Sequence, residues 1–179
     1  MAKKVIPMTL SQKSVQNVIK ELRSYQNSLE RKCEEYVIRL AKEGENVAIE
    51  AINESPIGKT VILQAKKEPS KMGCKAILVA TGKTYQAEGR EPFYTILAIE
   101  FGSGIYYNPE PNPKENDLGF GVGTFPGQIH AFEDGWYYLG KDDKWHYTHG
   151  IRATMPMFKA SEEIIQKYIE IAKEVFGND

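Results

Sequence analysis

The sequence predicts an α+β fold: a long N-terminal helical segment and a C-terminal helix packed on a mainly antiparallel β-sheet with an aromatic hairpin. Three observations lead there. An apolar stripe of helical period runs from Val15 to Ala51. From Gly58 the period falls to two, the signature of strands whose side chains alternate between faces. Late in the chain, two aromatic-rich runs flank a short polar break and lead into a second helical pattern.

Composition frames these elements. The 179 residues are 41% hydrophobic and 26% charged, enough for a single domain with a real core over residues 1–179. A formal net charge of −1 forces no basic patch of the kind a dedicated nucleic-acid binder carries. Cys33 and Cys74 have no paired spacing, so reduced thiols in a cytosolic protein, packed as small apolar groups, are expected. The opening Met-Ala-Lys-Lys reaches polar Thr9 without an apolar h-region, so no signal peptide is expected. No run of ~18 apolar residues occurs, which argues against a membrane span and a membrane partner.

In chain order, residues 5–8 are apolar but interrupted by Pro7, and suit an edge strand or a packed lead-in. Thr9 and Gln12 have the spacing of a capping box, with Ser11 as the competing cap. The stripe then runs through Val15, Val18, Leu22, Tyr25, Leu29, Cys33, Tyr36, Leu40, Val47 and Ala51. Gly44 costs roughly 1 kcal/mol relative to Ala in a helix interior, so a break or kink is expected there. The segment is one long helix or two in succession, ending before Ser55-Pro56. Lys13, Lys20, Glu30, Arg31, Glu34, Glu35 and Lys42 make a solvated outer face. Strands are expected at 60–66, 74–81 and 93–101, joined by turn chemistry at 68–73 and a polar loop at 82–92. They would form an antiparallel meander with the helices covering one face. In the third strand Phe93, Thr95, Leu97, Ile99 and Phe101 would share one side, and Tyr94, Ile96, Ala98 and Glu100 the other.

After Gly102-Ser103-Gly104 all periodicity is lost until about Phe132. This loop insertion, around 103–131, is too long for a passive connection in a compact domain. Ile105, Tyr106, Tyr107, Leu118, Phe120, Val122 and Phe125 are scattered along it. Burying each large one gains roughly 1.5–3 kcal/mol, while ordering the backbone costs about 1–2 kcal/mol per residue. The loop is therefore expected to be mobile alone and to order against an adjacent subunit or ring; a loop tucked over its own sheet is the alternative.

Gly135-Trp136-Tyr137-Tyr138-Leu139 and Trp145-His146-Tyr147-Thr148 read as the two strands of the hairpin. Alternation sends Trp136 and Tyr138 one way and Tyr137 the other, so one face cannot hide all the aromatics; core packing competes with a contact surface. Thr154 is the expected cap of the last helix, Pro156 fits its first turn and Gly177 stops it. Phe158, Ile165, Tyr168, Ile169, Ala172 and Phe176 make its expected core face, laid onto the sheet.

Chemistry finds little support. His130, His146, His149 and Glu133 could be imagined around a metal, in a small metal-dependent hydrolase. On a strand, however, the odd spacing of His146 and His149 sends them to opposite faces. Gly119-Phe120-Gly121-Val122-Gly123 lacks the strand-before, helix-after context of a phosphate loop. No Gly-x-Ser-x-Gly elbow occurs, and neither cysteine has a histidine nearby in sequence. Glu162-Glu163 falls in the first two turns of the last helix and suits its dipole. No enzyme, cofactor, metal or catalytic residue is expected.

Several runs carry a resemblance. Ala98-Ile99-Glu100-Phe101-Gly102-Ser103-Gly104 resembles the (V/I)EFGTG strand end of the small head–tail joining, or tail-completion, proteins of tailed phages. Gly135-Trp136-Tyr137-Tyr138 with Lys144-Trp145-His146-Tyr147-Thr148-His149-Gly150 is similar to that family's aromatic hairpin and its T-x-G exit. Thr154-Met155-Pro156-Met157-Phe158-Lys159-Ala160 resembles its Pro-plus-aromatic start of the final helix. The similarity extends over residues 9–176, and such proteins also occur in phage-tail-like particles. It implies a non-enzymatic subunit of the virion neck, at the head–tail interface, assembled in the cytoplasm of a bacterial host. It also implies a homo-oligomeric ring, six copies by that family's tail symmetry. Portal and connector proteins would lie on one side and tail terminator or tail tube proteins on the other. DNA would pass through the channel without sequence-specific binding, and a net charge of −1 suits that passage. A tail terminator or head-side connector of the same neck is the alternative. The candidate interface residues are Tyr106, Tyr107, Phe120 and Phe125 in the loop, and Trp136, Tyr138 and Trp145 in the hairpin.

Overall fold

The computed structural model describes residues 5–70, 73–86, 92–104, 134–139 and 142–177. Its dominant element is a single helix, α1, Gln12–Glu54, of 43 residues. Ser11 is its cap: the residue is extended, and its hydroxyl accepts the Ser14 N–H at 3.3 Å. Thr9 does not form the expected capping box with Gln12. Its N–H donates to Ser14 Oγ at 2.9 Å, and its hydroxyl lies 3.2 Å from Ser11 Oγ. The helix ends where Ser55-Pro56 predicts, because proline pushes the preceding residue out of the helical region; Ser55 sits at φ −83°, ψ 137°. Ahead of it, residues 5–9 form no strand, and Val5 and Met8 are exposed rather than packed.

The expected break at Gly44 does not occur. The helix is unbroken from Gln12 to Glu54, and the reason lies across the interface. A Cβ on Gly44 would stand 2.7 Å from Ile164 Cδ1 and 3.4 Å from the Ala160 carbonyl oxygen. Both belong to α3, Pro156–Phe176. Glycine here permits close helix–helix approach, and that packing outweighs its propensity cost of roughly 1 kcal/mol. The two helices run antiparallel. Lys159 lies near Glu54 at 4.0 Å, Arg39 pairs with Glu174, and the Tyr36 hydroxyl donates to the Tyr168 carbonyl at 3.1 Å. Ala41, Ala48, Ala51 and Ile52 of α1 and Ala160, Ile171 and Val175 of α3 are buried, a core of mostly small side chains.

Two eight-residue strands form the main hairpin, β1 (Val61–Glu68) and β2 (Lys75–Gly82), paired from Val61 opposite Gly82 to Glu68 opposite Lys75. They lie against α1. The Ala65 N–H donates to Glu45 Oε1 at 2.8 Å, Lys67 pairs with Glu34 at 2.6 Å, and the Cys74 thiol reaches the Glu30 carbonyl at 3.6 Å. Both cysteines are free and half-buried, and burial pushes the Cys74 thiol up from its ordinary pKa.

The third expected strand is mostly a helix. Only β4 (Phe93–Tyr94) pairs, with β3 (Thr84–Tyr85); the chain then turns into α2, Thr95–Phe101. Thr95, Ala98 and Ile99 stand at helical spacing and are all fully buried. A run this short and this apolar satisfies either period, so burial on a helical face decides it. A last ladder joins β5 (Trp136–Leu139) and β6 (Trp145–Thr148), antiparallel, with Trp136 opposite Thr148 and Leu139 opposite Trp145. Among the described residues the strands form three separate two-stranded sheets, so the continuous meander expected from the sequence is not formed.

α3 therefore packs along α1 rather than onto a sheet, and on a different face from the one expected. Pro156, Ala160, Ile171 and Val175 are buried, whereas Ile165, Tyr168 and Ile169 are 58%, 48% and 50% exposed. Phe158 and Ala172 are half-buried; so is Phe176, whose ring meets Tyr36 edge-on at 5.8 Å. The helix carries two apolar stripes, and the close approach at Gly44 selects the one with smaller side chains.

Candidate functional site

The sharpest geometry in the molecule lies where the end of α2 meets the start of α3. α3 lacks a side-chain cap of its own. Its N-cap residue, Met155, is left-handed at φ 53°, ψ 50°, and Pro156 at the first helical position has no N–H. The next two N–H groups, of Met157 and Phe158, would be orphaned. Glu100 takes both: Oε2 accepts from Met157 at 2.8 Å and Oε1 from Phe158 at 3.0 Å. Only 6% of Glu100 is exposed, so the carboxylate sits on the positive end of the helix dipole, largely shielded from water.

Thr154, the cap expected from the sequence, does not serve as one. Its N–H donates to the Ile99 carbonyl at 2.9 Å, and its buried Oγ1 has no hydrogen-bond partner among the described residues. Glu162 and Glu163 lie in the second turn, beyond the reach of the dipole, and no acid stands in the first. The sequence reading missed Glu100 by placing it in a strand, on the side shared with Tyr94, Ile96 and Ala98. The available signal was its isolation: it is the only charged residue between Pro92 and Gly104.

The junction continues through Ser103. Ser103 and Ile151 exchange both backbone hydrogen bonds, at 2.8 and 3.3 Å, and Ser103 Oγ also accepts the Ile151 N–H at 3.1 Å. Gly150 makes this approach possible. It sits at φ +106°, and a Cβ there would fall 2.0 Å from the Ser103 carbonyl oxygen. Beside the junction, a cavity of about 280 Å³ is walled by Glu54, Ser55, Pro56, Gly150, Ile151, Arg152 and Thr154. Ser55 Oγ and Thr154 Oγ1, the two buried hydroxyl oxygens without a partner among the described residues, belong to its wall.

A second feature is an aromatic face on the β5–β6 ladder. Tyr137 and Tyr147 stand opposite one another, ring centroids 5.0 Å apart, and the His149 ring meets Tyr147 edge-on at 4.9 Å. Tyr137 is 65% exposed and Tyr147 51%. Trp145, on the same side of β6 as Tyr147, is 69% exposed. Of the candidate interface residues, Trp145 is thus at the surface, while Tyr137 and Tyr147 join it without having been selected. Trp136 and Tyr138 are β5 residues paired with Thr148 and His146. Tyr106, Tyr107, Phe120 and Phe125 lie outside the described residues, as do His130, Glu133 and, from residue 105 on, the loop around 103–131 whose ordering was expected on assembly.

His146 bonds Asp142, Nε2 to Oδ1 at 2.9 Å, and this bond is the chief cause holding the Asp142 carboxyl below its ordinary pKa. Among the described residues, no group of three or more His, Cys, Asp or Glu is placed to hold a metal ion. No helix among them is long and apolar enough to cross a membrane. No family model, curated protein or solved structure matches the chain.

Proposed function

We propose that this chain is a virion structural protein, a tail-completion or neck subunit. It joins the portal–connector complex to the tail tube of a tailed phage or phage-tail-like particle, as one member of a homo-oligomeric ring. The observation that carries this reading is the α2–α3 junction. Glu100-Phe101-Gly102-Ser103-Gly104 and Thr154-Met155-Pro156-Met157-Phe158 belong to two of the runs that carry the resemblance. They meet through the Glu100 carboxylate, across separations of 57 and 58 residues. Two short chance matches have no reason to converge in space, whereas a folding joint held in common by a family does. The exposed Trp145, Tyr137 and Tyr147 fit the role, because large aromatics are favoured anchors of subunit contacts.

Deleting the gene from its prophage tests the reading. Capsids and tails are expected to form, joined infectious particles to be lost, and the wild-type gene in trans to restore them. Normal joined particles after deletion would reject the role. Tails of uncontrolled length would move it to the tail terminator.

A further inference from the structure

We infer that neighbouring copies of this chain pack head to tail, the projecting N-terminal part of α1 seating on the outer apolar stripe of α3 in the next copy. The inference rests on the ring proposed above and supplies its contact.

The argument begins with the length of α1. Within one copy, α3 ends at Phe176, beside Tyr36, and the β1–β2 hairpin reaches α1 through Glu34 and Glu30. The part before Glu30 runs on toward Gln12 with no buried residue. It is apolar along one side: Val15, Ile19, Leu22 and Leu29 are 38%, 45%, 53% and 37% exposed. These residues prolong the stripe that, from Tyr36 through Gly44, already receives α3. A stripe continuous with an occupied helix–helix interface is suited to a further helix.

α3 offers the matching surface. Ile165, Tyr168 and Ile169 form its second stripe, away from the buried Ala160, Ile171 and Val175. The same chain's projection cannot reach it, because α1 is one unbroken helix from Gln12 to Glu54 and cannot fold back. The length suffices: residues 12–29 span about 27 Å and α3 about 32 Å at 1.5 Å per residue, so α3 can receive the whole segment. The charges agree as well. The projection carries Lys13, Lys20 and Arg23 against Glu21, while α3 carries four glutamates against three lysines. Because the two surfaces differ, the contact is heterologous, the kind that closes into rings, rather than the self-matching patch of a two-fold dimer.

Full-length variants separate the possibilities. Leu22→Glu and Ile169→Glu alter exposed positions on the two stripes, so circular dichroism and melting should match the parent. The parent is expected to assemble, and each variant alone to stay monomeric in sedimentation. A 1:1 mixture retains one intact contact and should give dimers and nothing larger. In a Cys33→Ser, Cys74→Ser background, Leu22→Cys with Ile169→Cys or Ile165→Cys should give a ladder of disulfide-linked species. A parent monomeric at millimolar concentration, Ile169→Glu assembling like the parent, or Leu22→Cys alone giving linked pairs would each overturn the inference. If the contact fails while gene deletion abolishes joining, the contact is wrong and the function stands. If the ladder forms while deletion leaves particles intact, the reverse holds.

Discussion

Glu100 does from a neighbouring helix what Ser or Asp usually does from the cap position itself. A carboxylate is expensive to shield from water unless its oxygens are bonded, and here both accept backbone N–H groups. Removing it orphans two donors at a buried helix start. Glu100→Ala is expected to cost about 1.5–3 kcal/mol, the usual worth of hydrogen bonding to a charged group, read as a lower denaturant midpoint at unchanged slope. Glu100→Gln should cost less, since one carbonyl oxygen still accepts. An alanine variant as stable as the parent would remove Glu100 from the joint. Gly150→Ala attacks the same junction through the backbone. Its φ of +106° is unsuited to any side chain, and the new Cβ would meet the Ser103 oxygen. A loss of more than about 1 kcal/mol is expected, with weakened protection of the Ser103 and Ile151 amides.

Between elements, the α1–α3 contact depends on the absence of a side chain at Gly44. Gly44→Leu would drive a branched side chain against Ile164 and the Ala160 carbonyl, and overpacking of this kind costs about 1–3 kcal/mol. Thermal melting checks it; a Leu variant as stable as the parent would mean the helices are not in close contact there. The β5–β6 turn has its own handle. Asp142 is held below its ordinary pKa by His146, so its contribution is present above the unfolded value, about 3.9, and is lost as pH falls through the lower folded value. Carboxyl chemical shifts should place the Asp142 titration below that reference, and His146→Ala should return it upward. An unmoved titration would break the link. These contacts also explain what was legible beforehand. The course of α1, its end at Ser55-Pro56, the first two strands to within a residue or two, and Pro156 as helix start all follow from local periodicity and punctuation. Gly44 was misread because propensity is local whereas its role lies across an interface. α2 was misread because 95–101 is apolar except for Thr95 and Glu100, which hides its period. On α3 the sequence shows two stripes, and only the partner's shape chooses between them. Glu100 as a cap was not legible, because its bonds span more than 50 residues.

At the scale of the whole molecule, α1 joins two regions of very different support. From Tyr36 to Glu54 it lies against α3 and the β1–β2 hairpin, with Ala41, Ala48, Ala51 and Ile52 buried. From Gln12 to about Leu29 it has no buried residue. A helix draws most of its stability from packing an apolar face, and isolated helices of under roughly 12–15 residues are marginal in water. The projection is rooted in a stable helix, so it need not nucleate afresh, but it should fray from Ser11 inward. Hydrogen exchange on the free chain should therefore show a gradient, with slowest amides at 41–52 and 160–175 and exchange accelerating toward residue 12. If the projection seats on a neighbouring α3, assembly should slow exchange at 15–29 and leave 41–52 nearly unchanged, because those amides are already protected. The two halves of one helix then report different things, monomer stability and subunit contact. Uniform protection along α1 in the free monomer would show that the projection needs no neighbour. A gradient that persists unaltered in the assembled form would place the contact elsewhere, leaving the aromatic face around Trp145 as the surface to probe.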